Sequence, residues 1–314
     1  MHSDPRASLK RRTWPRWALA GLVALLAIWV GGDLVYSRVV LWHVRDWERS
    51  IERDADGVRV GCQDSTVGDG STALLWIHGF NDCPAAWQSL APELAARGFT
   101  SRVMRLPGFA LPTEQYARTT REQWRAAVAK EVEALARTHH RVGIVAHSLG
   151  GAIAVDHVLR NPDTVEAVAL LAPLIQVSGE RSPLVRPRRW HSFGSRTLLF
   201  TNVVETPFPV DATSPEAIAY DARTRFTPRE VFDELYALID EIDGRAGEFD
   251  VPVLLALGGR DEVIDREAAE RFFDGCPATK KRLVRFEETG HMLPLDEGWE
   301  LLADEIARFF AVVD

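Results

Sequence analysis

Ser148, Asp261 and His291 stand in this chain in an order, and in local contexts, that suit nucleophilic catalysis. A serine hydroxyl is a poor nucleophile until a neighbouring base takes its proton. An imidazole serves as that base when a carboxylate fixes its tautomer. Ser148 lies in "VAHSLGG" (145–151), between an apolar run and the Gly-rich start of a helix. Where a strand turns sharply into a helix at a serine, the residues two before and two after it must be small. Gly150 meets this outright; Ala146 stands where the usual pattern has glycine and adds one methyl group. Asp261 follows an apolar run in "LALGGRDEVID", and His291 follows another in "EETGHMLPLD". Serine, then acid, then histidine is a known chain order for such a site. Glu262 and Asp265 are the reserve acids. The developing oxyanion needs two backbone N–H donors, which Leu149 and, in "HGFND" (78–82), Phe80 are placed to supply. His78 is expected to hold that loop, His147 to line the pocket, and His139 and His140 to be solvated at a helix end. Taken singly these residues have plainer roles, Ser148 and Asp261 as helix N-caps and His291 as a loop residue. The chain has no HExxH, P-loop or GxGxxG pattern, so neither a metal nor a nucleotide cofactor is expected.

Such a site requires parallel strands whose carboxyl ends converge. Short apolar runs at 72–79, 99–108, 141–148, 165–173, 251–259 and 281–290 read as strands. Helical patterns alternate with them at 85–98, 120–138, 150–161, 266–274 and 297–313. In the second, Trp124, Val128, Val132 and Leu135 share one face. This alternation implies a mostly parallel sheet covered by helices. One interval of about 75 residues breaks it, rich in Pro, Arg and Phe and holding a helix at 228–243. A structureless loop of that length is improbable, so 174–250 reads as a cap over the sheet edge.

The charge distribution places the chain. Its net −8 conceals +4 on residues 1–32 and therefore −12 on the rest, which excludes nucleic acid as a partner. Arg6, Lys10, Arg11, Arg12 and Arg16 precede "WALAGLVALLAIWVGG" (17–32), which has no charged residue. Past Asp33 the apolar stretch continues through Tyr36, and Trp17 to Tyr36 spans about 28 Å of helix, close to a hydrocarbon core. Trp14 and Trp17 at one end, and Trp29, Tyr36 and Trp42 at the other, suit the two interfaces. Residues 1–37 are thus expected to be a cytoplasmic tail and signal anchor, with a cleaved signal peptide as the alternative. Residues 38–69 would be a connector, and the rest would lie on the outer, periplasmic side of the inner membrane. Three cysteines without C-x-x-C spacing argue against zinc. Cys62 with Cys83 is the pair to test for a disulfide, beside the alternative of three separate buried thiols.

Together "IHGFND", "VAHSLGGAIA", "GGRDEVID" and "ETGHMLPLD" resemble the α/β-hydrolase family, above all its bacterial carboxylesterase and monoacylglycerol-lipase branch. Residues 106–124 resemble the segment that there leads into the helix before the serine turn. Over about 70–314 the resemblance implies an α/β fold with a mostly parallel sheet, helices on both faces and a helical cap insertion, here preceded by one transmembrane helix. It implies Ser148 as nucleophile, His291 as base and Asp261 as its partner, Phe80 and Leu149 as oxyanion amides, and a mobile cap that shapes an acyl pocket. The expected activity is cleavage of carboxylic esters, on a small lipophilic or lipid-derived substrate at a membrane. Acyl transfer by the same residues, or a catalytically silent receptor of this fold, are the alternatives. The cap departs from a standard one in its arginines, Arg181, Arg186, Arg188, Arg189 and Arg196, which read as a solvated basic face or as contacts to anionic headgroups.

Overall fold

The computed structural model describes residues 16–182, 184–206 and 208–312. Of the N-terminal features, Arg6, Lys10, Arg11, Arg12 and Trp14 lie outside the described residues. The described residues open with a long helix, α1 (Arg16–Ser50), and then enter the sheet: β1 (Ser65–Val67), β2 (Thr72–Ile77), α2 (Leu90–Ala96), β3 (Thr100–Met104), α3 (Thr113–Tyr116), α4 (Arg121–Ala136), β4 (Arg141–His147), α5 (Leu149–Arg160) and β5 (Ala167–Leu171). The cap follows, with α6 (Pro187–Thr197), β6 (Val203–Glu205), α7 (Pro215–Ile218), β7 (Phe226–Pro228) and α8 (Arg229–Ile242). The sheet resumes with β8 (Val253–Gly258), α9 (Arg266–Gly275), β9 (Lys281–Phe286) and α10 (Trp299–Val312).

Among the described residues the sheet has seven strands in the order β1-β3-β2-β4-β5-β8-β9, parallel except for β1 on the edge. β2, β5 and β8 are buried along their whole length, as strands covered on both faces must be. The chain moves one way from β2 to β3 and the other way from β3 to β4. That reversal opens a crevice beyond the carboxyl ends of β2 and β4, where ligands bind in such sheets. α4 and α5 pack on one face and α2 and α10 on the other. α4 begins with a reciprocal Thr120–Gln123 capping box and buries Trp124, Val128, Val132 and Leu135, the face its periodicity requires. Phe310 of α10 lies against β4 at Gly143, where an added Cβ would stand 2.3 Å from its ring.

The structure departs from the sequence pattern in several places, among them the edge strand β1 inside the expected connector and the short α3. The expected helix at 85–98 is a 3-10 turn at Pro84–Trp87 followed by the short α2, because Trp87 turns inward onto Trp76, with ring centroids 5.1 Å apart. α1 runs without interruption past residue 37 to Ser50. The cap contains α6, α7 and an antiparallel β6–β7 ribbon besides the expected helix. In α1, residues 16–32 show almost no burial, and Trp17, Leu22, Leu25 and Ile28 are exposed. This segment is one helix long and apolar enough to cross a membrane.

Cys62 and Cys83 form a disulfide, with Cα atoms 5.4 Å apart, that ties the connector to the loop after β2; Cys276 is a buried free thiol. The bridge closes a loop of 21 residues, a constraint on the unfolded chain worth about 3 kcal/mol. Cys62→Ser is therefore expected to lower the unfolding free energy by about 3 kcal/mol. A reducing agent should lower the wild type similarly and leave the variant unchanged. Denaturant titrations of both proteins, with and without reductant, measure this, and a wild-type midpoint indifferent to reductant would refute it.

Candidate active site

Ser148 occupies the turn between β4 and α5 with φ 53° and ψ −117°, a conformation unfavourable for any residue with a side chain. The turn is held because its backbone is bonded on both sides: Ser148 N–H donates to the Leu171 carbonyl at 3.0 Å, and its carbonyl accepts from Leu174 at 2.9 Å. α5 must also come close to β2 and β5. At Gly150 a Cβ would stand 2.3 Å from the Ile77 carbonyl oxygen, and at Gly151 one would stand 2.7 Å from Pro173. Ala146, by contrast, sits fully buried within β4 between Ile77 and Leu170, where one methyl group is accommodated.

The three residues singled out in the sequence meet at this turn. His291 Nε2 lies 2.9 Å from Ser148 Oγ, and His291 Nδ1 lies 2.8 Å from Asp261 Oδ2. The other carboxylate oxygen of Asp261 accepts the N–H groups of Val263 (2.8 Å) and Ile264 (3.1 Å), so the acid cannot swing away. Burial pushes the Asp261 carboxyl up, but the facing His291 and these N–H groups outweigh it and leave the group below its ordinary value. An ionised Asp261 accepts a hydrogen bond from Nδ1–H, which leaves the Nε2 lone pair aimed at the serine hydroxyl, the tautomer a base requires. The reserve acids are engaged elsewhere: Asp265 caps α9 through Ala268 N–H, and Glu262 is exposed and pairs with Arg181.

Leu149 is the first residue of α5, a position whose N–H has no acceptor within its own helix. Phe80 lies in the loop after β2, which passes so close to the serine that a Cβ on Gly79 would stand 3.1 Å from Ser148 Cβ. His78 braces this loop, as expected. Its Nε2 accepts from Leu106 N–H at 3.0 Å and its Nδ1 donates to the Gly79 carbonyl at 2.9 Å. His147 does not line a cavity. It is 1% exposed, wedged between Trp87 and His291, and its Nε2 donates to the His291 carbonyl at 2.9 Å. His140 is exposed and His139 half-buried at the end of α4.

Several positioning residues gave no local signal. Asp296 accepts from Gly290 N–H (3.1 Å), just before His291, and from the cap at Thr213 and Ser214. Asp211 of the cap accepts from Glu262 N–H (3.0 Å), and its carbonyl accepts from Met292 N–H (2.9 Å). The acid loop and the histidine loop are thus both clasped by one cap segment. The loop after β2 is clasped likewise: Tyr220 donates to Asp82 (2.5 Å), Thr224 N–H to the Asn81 carbonyl (2.8 Å), and Asn81 Nδ2 to Thr227 Oγ1 (2.6 Å). Burial holds the Asp82 carboxyl above its ordinary value, in spite of Tyr220 and the nearby Arg223. Ser148 and His291 are 3% and 5% exposed, so the cap is closed over them. A groove of about 650 Å³ between Glu180, Asp265, Arg266 and Arg285 includes neither residue.

Residues 69–298 match the family described as serine aminopeptidase, S33 (Hydrolase_4). A thermostable monoacylglycerol lipase of Bacillus sp. (strain H-257) is 25% identical over 249 residues, covering 77% of this chain and 92% of that protein. A carboxylesterase of Bacillus subtilis (strain 168) is 24% identical over 254 residues, covering 79% and 96%. Among solved structures, a monoacylglycerol lipase of Paleococcus ferrophilus shares the fold with a TM-score of 0.69 at 17% identity, over 80% of this chain and 98% of that one. A metagenome-derived lipolytic enzyme does so with a TM-score of 0.71 at 19% identity, over the same shares.

The buried histidines make the fold acid-sensitive. Burial pushes His147 down to about 3, with the neighbouring His291 adding to it, and burial pushes His78 down to about 4, from an ordinary 6.5. Each binds its proton more readily in the unfolded chain. Stability is therefore whole above pH 6.5 and falls as the pH drops toward the folded values, by up to about 1.4 kcal/mol per pH unit for each group. Denaturant midpoints are expected to decline from pH 6.5 to pH 5, and His147→Gln should decline less steeply. Equal slopes for the two proteins would refute the assignment.

Proposed function

The chain belongs to the serine aminopeptidase S33 family of α/β-hydrolases, in its monoacylglycerol-lipase-like branch, and from that premise we propose a membrane-anchored serine hydrolase that cleaves carboxylic esters. The observation that carries the reading is the pair of hydrogen bonds from Ser148 through His291 to Asp261, 2.9 and 2.8 Å long. In this mechanism Ser148 Oγ attacks the acyl carbon while His291 Nε2 takes its proton. The oxyanion is held by the N–H groups of Leu149 and Phe80. His291 then protonates the departing alcohol, leaving an acyl-Ser148 ester. Water, deprotonated by His291, releases the acid.

The substrate class proposed is a lipophilic or lipid-derived ester, such as a monoacylglycerol or a lysophospholipid. Its support is the likeness to a monoacylglycerol lipase together with the apolar, uncovered first half of α1. Residues 1–37 are read as tail and anchor, 38–69 as connector, and 70–314 as the hydrolase domain with its cap at about 174–250. The basic residues before the apolar run favour a cytoplasmic N-terminus and an outer catalytic domain. The Cys62–Cys83 disulfide agrees with that side, since such bridges persist in oxidising compartments. Acyl transfer to an alcohol or amine is the second reading, favoured by the near-complete burial of Ser148 and His291 away from water.

A fluorophosphonate probe is expected to label the wild type and not Ser148→Ala. Hydrolysis of p-nitrophenyl esters should fall by roughly four orders of magnitude or more in that variant. In a series of acyl chains, kcat/KM should rise from acetate to octanoate. A folded wild type that takes no label would leave the receptor reading standing. Acyl product appearing only when an alcohol or amine is added would favour transfer.

A further inference from the structure

The second half of α1 buries a single stripe, Asp33, Ser37, Val40 and Val44, at the spacing of one helix face. That stripe meets the cap. One oxygen of the Asp33 carboxylate accepts the N–H groups of Leu199 (2.6 Å) and Phe200 (2.9 Å), and the other accepts the Thr201 hydroxyl (2.6 Å). One turn on either side, Ser37 Oγ donates to the Phe200 carbonyl (2.7 Å) and Trp29 Nε1 to the Thr197 carbonyl (3.1 Å). Further along, Val40 and Val44, with Trp47 of the same helix, pack against Phe226 and Val203 of the cap ribbon. A carboxylate within an apolar helix is costly unless its oxygens are matched, and here three cap donors match them. From Trp29 to Ser37 is about 12 Å of helix, so the clasp sits at the end of the apolar stretch and fixes the cap at that level.

What the cap exposes beside the clasp suits that level. α6 buries none of its residues, and it rests on α8 through His191–Asp233 (2.7 Å) and Arg188–Asp240. Trp190 and Phe193 lie on the opposite face, both 52% exposed. Leu184, Leu199 and Phe200 are exposed at its two ends. Arg186, Arg189 and Arg196 belong to the same segment, and among the described residues none of them has an ion-pair partner. Five exposed apolar side chains and three unpaired arginines next to an apolar helix, on a domain that is otherwise strongly acidic, form a surface complementary to anionic lipid.

We propose that residues 184–200 of the cap, held by the Asp33 clasp, dock onto an anionic phospholipid bilayer. Trp190, Phe193, Leu199 and Phe200 enter the interface, and Arg186, Arg189 and Arg196 lie against phosphate headgroups. The proposal rests on α1 being a membrane span. The cap links the docking segment to the site through one helix: α6 lies on α8, whose Phe232 touches Phe80 beside the serine.

The test uses the full chain in phosphatidylcholine vesicles with and without phosphatidylglycerol. A polarity-sensitive fluorophore is placed on single cysteines at Phe193→Cys in the cap, Leu25→Cys in α1 and Arg137→Cys at the exposed end of α4, and spin-labelled lipids serve as quenchers. The Phe193 and Leu25 labels should be quenched several-fold more than the Arg137 label, and phosphatidylglycerol should increase the Phe193 signal. Adding Asp33→Ala should withdraw the Phe193 label from the quencher and leave the Leu25 label in place. A Phe193 label as wet as the Arg137 label, with Leu25 quenched, overturns the docking surface while the span stands. If Leu25 is not quenched, the membrane reading falls and the proposal with it.

Discussion

The strained backbone of Ser148 is the constraint on which the rest of the structure depends. A residue with φ 53° and ψ −117° is unfavourable by something on the order of 1–3 kcal/mol and persists only where its surroundings leave no alternative. β5 supplies the Leu171 carbonyl for its N–H, and the chain after β5 returns the Leu174 N–H to its carbonyl. β2 and α5 can then approach only because residue 150 lacks a Cβ. The same approach brings the loop after β2 beside the serine hydroxyl. Turn, helix N-terminus and second amide are thus consequences of one packing arrangement, and none can be changed alone.

The partners of Ser148 are fixed in a different way, with help from the cap. Asp261 and His291 follow the paired strands β8 and β9, and their loops are joined directly where Arg260 N–H donates to the Thr289 carbonyl (2.9 Å). Asp211 and Asp296 tie both loops to the cap segment 211–214 through backbone N–H groups. Tyr220, Thr224 and Thr227 join the same cap to the loop carrying Phe80. In the closed form the cap is part of the scaffold of the site as well as its cover. Such networks of matched carboxylates and N–H groups hold a catalytic geometry more tightly than apolar packing, because each bond also fixes direction.

The division between what is legible in the sequence and what is not follows the range of the interactions. Ser148, Asp261 and His291 are legible because each follows an apolar run, and strand ends can be read from a few neighbouring residues. The face of α4 is legible because Trp124, Val128, Val132 and Leu135 repeat at the helical period. Asp33 carries no such sign. In the sequence it is a charge interrupting an apolar stretch, and only the cap, more than 160 residues later, shows what it binds. Asp211 and Asp296 are illegible for the same reason. His147 misled because adjacency to the serine suggests the pocket, whereas alternation along β4 turns its side chain behind His291. α6 lacks a buried stripe altogether, so no periodicity announces it.

The cap is itself of two kinds. α8 is bound into the body: Arg121 and Arg125 of α4 and Arg160 of α5 converge on Glu234 and Glu241, with the fully buried Asp156 of α5 between them. Glu234 and Glu241 thus tie α8 to Arg121, Arg125 and Arg160, while Asp156 is matched by Arg125 and Arg160 within the body. α8 also buries Val231, Leu235, Leu238, Ile239 and Ile242. α6, by contrast, is held by surface ion pairs and buries nothing. α6 is therefore the less firmly held of the two helices, and the Asp33 clasp sets it beside α1. α1, clasp and cap edge thus meet at one short segment, residues 197–201.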